Sequence, residues 1–327
     1  MKLNEIAKTG LTISELGLGC ASLAGIFSAV PHEQASATIA KAWEKGIRYF
    51  DTAPFYGHGR SERLTGDGIR GHDYVLSTKV GRLLKPGAMQ NPGAWVDALP
   101  FTPVFDYSRD AILRSFEDSL QRLGLARIDI LYMHDIGNYT HGEEEGPKLF
   151  KIAMGEGYAA MDMLRREGYV KAIGLGVNET EVCMNALDYG DWDAFLLAGR
   201  YTLLEQAPLD DLFPKCTAQG TDIIVGGPFN SGVLVGGETF DYGAIPEAIA
   251  SRIRGITAIC DDHGVPLPAA ALQFCRAHPI VRSTIPGPRT PQELEQILAW
   301  WNTPVPTAFW SDLKSAGLLR GDAPVPA

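Results

Sequence analysis

A chain of 327 residues with 45% hydrophobic and 21% charged side chains carries enough apolar surface for one large core. Its 29 basic and 39 acidic residues leave a net charge of -10, which argues against a nucleic-acid partner, because phosphates require a basic footprint. No run of eighteen apolar residues occurs, the start MKLNEIAKTG is no secretory leader, and the five cysteines (Cys20, Cys183, Cys216, Cys260, Cys275) show no CxxC spacing. The expectation is a cytoplasmic chain without a membrane span, a disulfide framework or a metal site.

In chain order, short apolar runs alternate with amphipathic ones. The strand-like runs are ELGLGCAS (15–22), IRYFD (47–51), YVLSTKV (74–80), IDILYMH (128–134), VKAIGLGV (170–177), AFLLAG (194–199), TDIIVGG (221–227) and VRSTIP (281–286). None alternates strictly, as expected of parallel strands covered on both faces. Helix-like stretches lie between them: HEQASATIAKAWEKG, SRDAILRSFEDSLQRLG, YAAMDMLRREG, AIASRIRGITAICDDHG and PQELEQILAW. In the second, Ile112, Leu113, Phe116, Leu120 and Leu123 recur at helical spacing, Ser108 is placed to cap the start, and Gly124 to stop the end. About eight strand-helix units without a linker predict one (β/α)₈ barrel domain over 1–327, in the α/β class. A doubly wound open sheet is the alternative. It would need a dinucleotide fingerprint, but Gly17 and Gly19 in GLGCAS lack the third glycine. Two long segments, 83–108 and 135–150, follow strands and so belong on the C-terminal face of a barrel, where loops build active sites.

Polar residues gather at the C-terminal ends of the early strands. Asp51 ends the second, Tyr56 lies just beyond it in FDTAPFYGHGRSE, Lys79 stands near the end of the third, and His134 ends the fourth. Singly, each has an ordinary structural reading; on consecutive strands they converge on one mouth. A phenol is a poor proton carrier at neutral pH unless a neighbouring cation favours its ionised form. The expected roles follow: Asp51 holds Lys79, Lys79 acidifies Tyr56, and His134 orients a substrate oxygen. Such a tyrosine suits hydride exchange with a nicotinamide, which carries the hydride while the protein supplies position and charge. At the other end of the chain GGPFNSG (226–232) and PGPRTPQE (286–293) follow the last two strands. Gly227, Gly232 and Gly287 would let backbone approach a pyrophosphate, with Asn230 and Ser231 adding donors. Arg289 is the main candidate for a 2′-phosphate, but as a single cation it leaves a lean towards NAD over NADP. Phe55, Trp95 and Phe105 are candidates to stack on a substrate ring. The seven histidines are dispersed, and His58 and His141 read as loop residues, so no metal is expected.

GIRYFDTAPFYGHGRSE, STKVGR, SLQRLGLARIDILYMHD and STIPGPRTPQEL together resemble the aldo-keto reductase family, over nearly the whole chain. The resemblance implies a (β/α)₈ barrel using NAD(P)(H), with a catalytic tetrad at Asp51, Tyr56, Lys79 and His134. It also implies that Asn178 in GVNE binds the nicotinamide carboxamide. Departures occur at Val177, at Arg200 and Tyr201 in LLAGRYTLLEQ, and at Gly226 and Gly227, which stand where a tyrosine often stacks on the nicotinamide. GRYTLLEQ, GGPFNSG and VPTAFWSDLKSAGLL resemble a subgroup of bacterial sugar 1-dehydrogenases, D-threo-aldose 1-dehydrogenases and L-fucose dehydrogenases among them, together with pyridoxal 4-dehydrogenase. The first expectation is oxidation of an aldose such as L-fucose at its anomeric hydroxyl to the lactone. The alternative is oxidation of the pyridoxal hemiacetal to 4-pyridoxolactone. The partner is then a small sugar or hemiacetal, with no nucleic acid, membrane or obligate protein partner. An intact tetrad argues for turnover over a channel-docking role. A short-chain dehydrogenase is excluded because no tyrosine has a lysine four residues on.

Overall fold

The computed structural model describes residues 1–87, 89 and 91–326. Eight parallel strands run round one sheet: β1 Leu18–Gly19, β2 Tyr49–Asp51, β3 Val75–Val80, β4 Ile130–His134, β5 Ala172–Val177, β6 Ala194–Ala198, β7 Asp222–Gly226 and β8 Val281–Ile285. Each pairs with its successor. A parallel bridge from Leu16 to Thr284 brings the last strand back to the first. The expected barrel is therefore observed, and every strand lies within its predicted run. The open-sheet alternative is ruled out by that closure.

Two apolar layers explain the unbroken hydrophobic runs. Alternate strand residues, among them Tyr49, Val75, Ile130, Tyr132, Leu196, Ile224 and Ile285, fill the inside of the barrel. The others, such as Phe50, Leu76, Leu131, Ile173 and Phe195, pack under the surrounding helices. The helix Arg109–Leu123 shows the local logic. Ser108 accepts from the Ala111 amide at 3.4 Å, Ile112, Phe116 and Leu123 are buried, and Gly124 ends the helix at φ 61°.

The helices Arg60–Ile69, Thr180–Ala186, Leu212–Gln219, Leu267–Arg276 and Thr307–Ser315 escaped the periodicity, and so did two hairpins and a bent helix. An antiparallel hairpin, Leu3–Ile6 with Leu11–Ser14, sends Ile6 and Ile13 into the interior cluster from the end opposite the strand C-termini. Each of its strands has four residues, too few to announce a period. A second hairpin, Arg82–Pro86 with Phe101–Phe105, stands in the long segment 83–108, of which residues 88 and 90 lie outside those described. The other long segment is largely a helix, Asn138–Ile152, bent at Gly142 (φ 72°) and containing Pro147. It buries only Gly146, so no apolar stripe marks it. Among the described residues no helix is long and apolar enough to cross a membrane.

Candidate active site

Strand direction sets the site. β2, β3 and β4 present Asp51, Lys79 and His134 near their C-terminal ends, and all three are buried. Tyr56 follows β2 in a tight turn where Gly57, His58 and Gly59 all have positive φ (58°, 53° and 97°). A β-carbon at Gly57 would stand 2.7 Å from Ala24 O, so the turn that aims Tyr56 requires glycine there. Behind it, buried Glu62 accepts from Thr78 Oγ1 at 2.7 Å and Arg122 Nε at 2.5 Å, fixing the turn to β3 and to the neighbouring helix.

At the centre Lys79 Nζ donates to Asp51 Oδ2 at 2.7 Å and to Thr52 O at 2.9 Å, while Ser77 Oγ donates to Asp51 Oδ1 at 2.6 Å. Tyr49 Oη lies 3.0 Å from Ser77 Oγ and 3.3 Å from Tyr132 Oη, so a polar chain leads from the barrel interior to the ion pair. The Lys79 ammonium sits 4.7 Å from the centre of the Tyr56 ring, and the His134 ring meets that tyrosine edge-on at 5.8 Å. The four expected residues are thus brought together.

Their electrostatics differ from expectation in one respect. Burial pushes the Tyr56 phenol well above its ordinary value, Asp51 adds to the rise, and Arg82 opposes it. The Lys79 charge is spent on Asp51, so in the free chain the phenol is held in its protonated form and is not acidified. His134 is pushed well below its ordinary value by burial and by the cations Arg82 and Lys79, which keeps its imidazole neutral.

A cleft of about 720 Å³ runs from Asp51 and Tyr56 to Arg289, Glu293 and Trp300. Gly227, Asn230, Ser231, Gly232, Gly287 and Arg289, six of the seven expected cofactor residues, line it. A dinucleotide fits this wall. Gly227 and Gly232 have positive φ (55° and 104°), a β-carbon on Gly287 would meet Ser22 Oγ at 2.7 Å, and Asn230 Oδ1 is buried without a partner. Asn178 lies one step behind the wall: its amide donates to Ala198 O (3.3 Å) and to Tyr242 Oη (3.4 Å). Of the two departures after β6, Arg200 clamps Asp241 and donates to Asn178 O at 2.6 Å, whereas Tyr201 is buried against Phe213 and Phe274, away from the cleft.

The three aromatic candidates divide. Trp95 is buried, 5.7 Å from the Tyr56 ring and 5.5 Å from Phe55. Phe105 stands further out, 40% exposed and packed on His141. Between Phe55 and Phe105 the Arg82 guanidinium is sandwiched, 4.0 and 4.8 Å from the ring centres, and it pairs with Asp135. Sequence reasoning passed over Arg82, Asp135, Tyr242 and Glu293. Arg82, Asp135 and Glu293 stood inside the quoted STKVGR, SLQRLGLARIDILYMHD and PGPRTPQE, close to residues already chosen; Tyr242 carried no local signal. His141, expected in a loop, lies in the helix Asn138–Ile152, where its Nε2 bonds Tyr107 Oη at 2.9 Å.

The Aldo/keto reductase family model matches residues 15–317, and the chain belongs to that family of nicotinamide-using oxidoreductases. Pyridoxal 4-dehydrogenase from Microbacterium luteolum is 43% identical, covering 96% of this chain and 97% of that one. D-threo-aldose 1-dehydrogenase from a Pseudomonas species is 36% identical, again over 96% and 97%. Among solved structures, an aldo-keto reductase from Bacillus halodurans in its holo form superposes with a TM-score of 0.74 over 99% of this chain and 98% of that one at 24% identity, a likeness of fold.

The neutral His134 makes a pH prediction. Its folded-state value lies below its unfolded value near 6.5, so the unfolded chain binds the extra proton, and stability is full above that pH and falls below it. Urea unfolding of wild type and His134→Gln between pH 7.5 and 5.5 should show a steeper loss for wild type, by up to about 1.4 kcal/mol per pH unit. Parallel slopes would mean that His134 is not held neutral by the fold.

Proposed function

We propose that this enzyme oxidises a cyclic hemiacetal to a lactone, with Tyr56 as the proton carrier. The observation that carries the reading is the pairing of a buried Asp51–Lys79–Tyr56–His134 cluster with a dinucleotide-sized cleft that begins at Tyr56. A bound nicotinamide nucleotide supplies the hydride acceptor. The chain's own groups do the rest. The neutral imidazole of His134 positions the substrate hydroxyl, and Tyr56, once its own phenolic proton has passed to solvent, accepts the proton of that hydroxyl. Asp51 keeps Lys79 charged and fixed against the phenol.

Two substrates fit this chemistry. Pyridoxal is favoured by the 43% identical relative and by the aromatic, guanidinium-bearing wall of Phe55, Trp95 and Arg82, which suits a flat heteroaromatic ring. An aldopyranose such as L-fucose is supported by the 36% identical relative, and the same aromatic faces suit the apolar face of a sugar. NAD is the favoured nucleotide. Glu293 accepts from the Arg289 amide at 2.7 Å and pairs with its guanidinium at 3.0 Å, so the one cation proposed for a 2′-phosphate is engaged. Glu293 also lines the cleft and would oppose that phosphate charge to charge.

Initial rates with pyridoxal, L-fucose, D-arabinose and L-galactose, each with NAD⁺ and NADP⁺, test the reading. Oxidation of at least one hemiacetal with NAD⁺ is expected, and silence on all four would overturn it. Tyr56→Phe should lower kcat by about 10²- to 10⁴-fold while nucleotide affinity holds. With the phenol held well above its ordinary value, oxidation by wild type should still be rising at the highest pH the fold tolerates, a dependence lost in Tyr56→Phe; a plateau near neutral pH would show an acidified phenol instead. Glu293→Gln should raise kcat/KM with NADP⁺ relative to NAD⁺; an unchanged ratio would remove Glu293 from nucleotide choice.

A further inference from the structure

Asp135 is the ionisable group at the mouth that the proposed proton transfer leaves unused. It follows His134 directly and adopts a left-handed backbone (φ 47°), a region that aspartate enters more readily than most non-glycine residues. Tyr107 holds it, with Oη 2.9 Å from both His134 O and Asp135 O. Its carboxylate pairs with Arg82 and stands 3.4 Å from His134 Nε2, the ring nitrogen turned to the same side. Arg82 is only 5% exposed, is gripped between Phe55 and Phe105, and keeps a buried Nε without an acceptor. The pair is thus held in place, with Arg82 buried and the Asp135 carboxylate partly open at 15% exposure. An ionised carboxylate offers about four acceptor directions and no donor, so the group it lacks is a hydroxyl or amine hydrogen.

We propose that Asp135, braced by Arg82, receives a second hydroxyl of the substrate, the one carried beside the carbon being oxidised, and so selects among hemiacetals. This rests on the hemiacetal reading above. The adjacent hydroxyl oxygen of an aldopyranose is three bonds from the oxygen held by His134, and the pyridoxal 3-hydroxyl oxygen is four, while Asp135 stands 3.4 Å from the same imidazole nitrogen. In an aldopyranose the hydroxyl is that of the adjacent ring carbon; in pyridoxal it is the 3-hydroxyl. A site built around a buried charge rejects an analogue lacking the matching hydrogen, because the charge is then left short of a partner.

The test compares matched substrates: D-arabinose against 2-deoxy-D-ribose, which lacks the adjacent hydroxyl, and pyridoxal against its 3-O-methyl ether. They are assayed with wild type, Asp135→Asn and the double variant Arg82→Met/Asp135→Leu. The double variant leaves no unpaired buried charge should the single one fold poorly. NAD⁺ binding, read by quenching of tryptophan fluorescence, shows that each protein is folded. Wild type should favour the hydroxylated member of a pair by about 10- to 100-fold in kcat/KM, mostly through KM, and both variants should shrink that preference to a few-fold. Variants that slow both members equally, with the preference intact, would make Asp135 a support for His134 and overturn the proposal. Equal use of both members by wild type would overturn it too, while leaving the hemiacetal reading standing. A wild type silent on every hemiacetal would remove the reading and the inference together.

Discussion

The buried ion pair between Lys79 and Asp51 is the constraint on which this barrel mouth depends. Removing two charges from water costs several kcal/mol per ion, and such a pair persists only where the geometry is good and the remaining donors and acceptors are filled. Here they are: Ser77 donates to the second carboxylate oxygen, and Thr52 O accepts from the ammonium. The surroundings make room as well as bonds. A β-carbon at Gly176 on the opposing strand would lie 3.0 Å from Lys79 Cε, so a larger residue there would press the lysine out of place. Through Ser77, Tyr49 and Tyr132 the pair is also tied into the packed interior. The site is an extension of the core, not an addition to it.

From that pair, function divides to two sides of Tyr56. On one side lies the long cleft, with glycine-rich turns after β7 and β8, Asn230 at its wall and Glu293 at its far end. On the other are Phe55, Trp95, Arg82, Asp135 and His134, a packed aromatic and charged cluster that the proposed reading assigns to the substrate. The phenol stands between them, protonated at rest because burial and Asp51 both oppose its ionisation. A group in that state gives up its proton readily only when a partner compensates the charge, which ties its work to occupancy of both sides.

Legibility followed physical range. The eight strands were readable because burial on both faces writes continuous apolar runs, and the tetrad because strand direction alone decides which end its members reach. The proposed cofactor wall was readable from Gly227 and Gly232, whose positive φ dictates their type, and from Gly287, where a β-carbon would meet Ser22. Other elements left no such trace. The N-terminal hairpin is too short for a period, and the helix Asn138–Ile152 is nearly all exposed. The Tyr56 phenol was misjudged because its environment depends on burial, on distance to Asp51 and on where Lys79 spends its charge, none of which is local in sequence. Tyr242, in the segment after β7, and Glu293, on the helix Pro291–Asn302, matter only through the fold that sets both on the cleft lining.

The most direct measurement is a crystal structure of the enzyme with NAD⁺ bound. The account predicts the nicotinamide ring beside Tyr56, the adenosine end near Glu293 and Trp300, and an intact contact between Lys79 and Asp51. A nucleotide seated elsewhere, or an ion pair broken on binding, would contradict it.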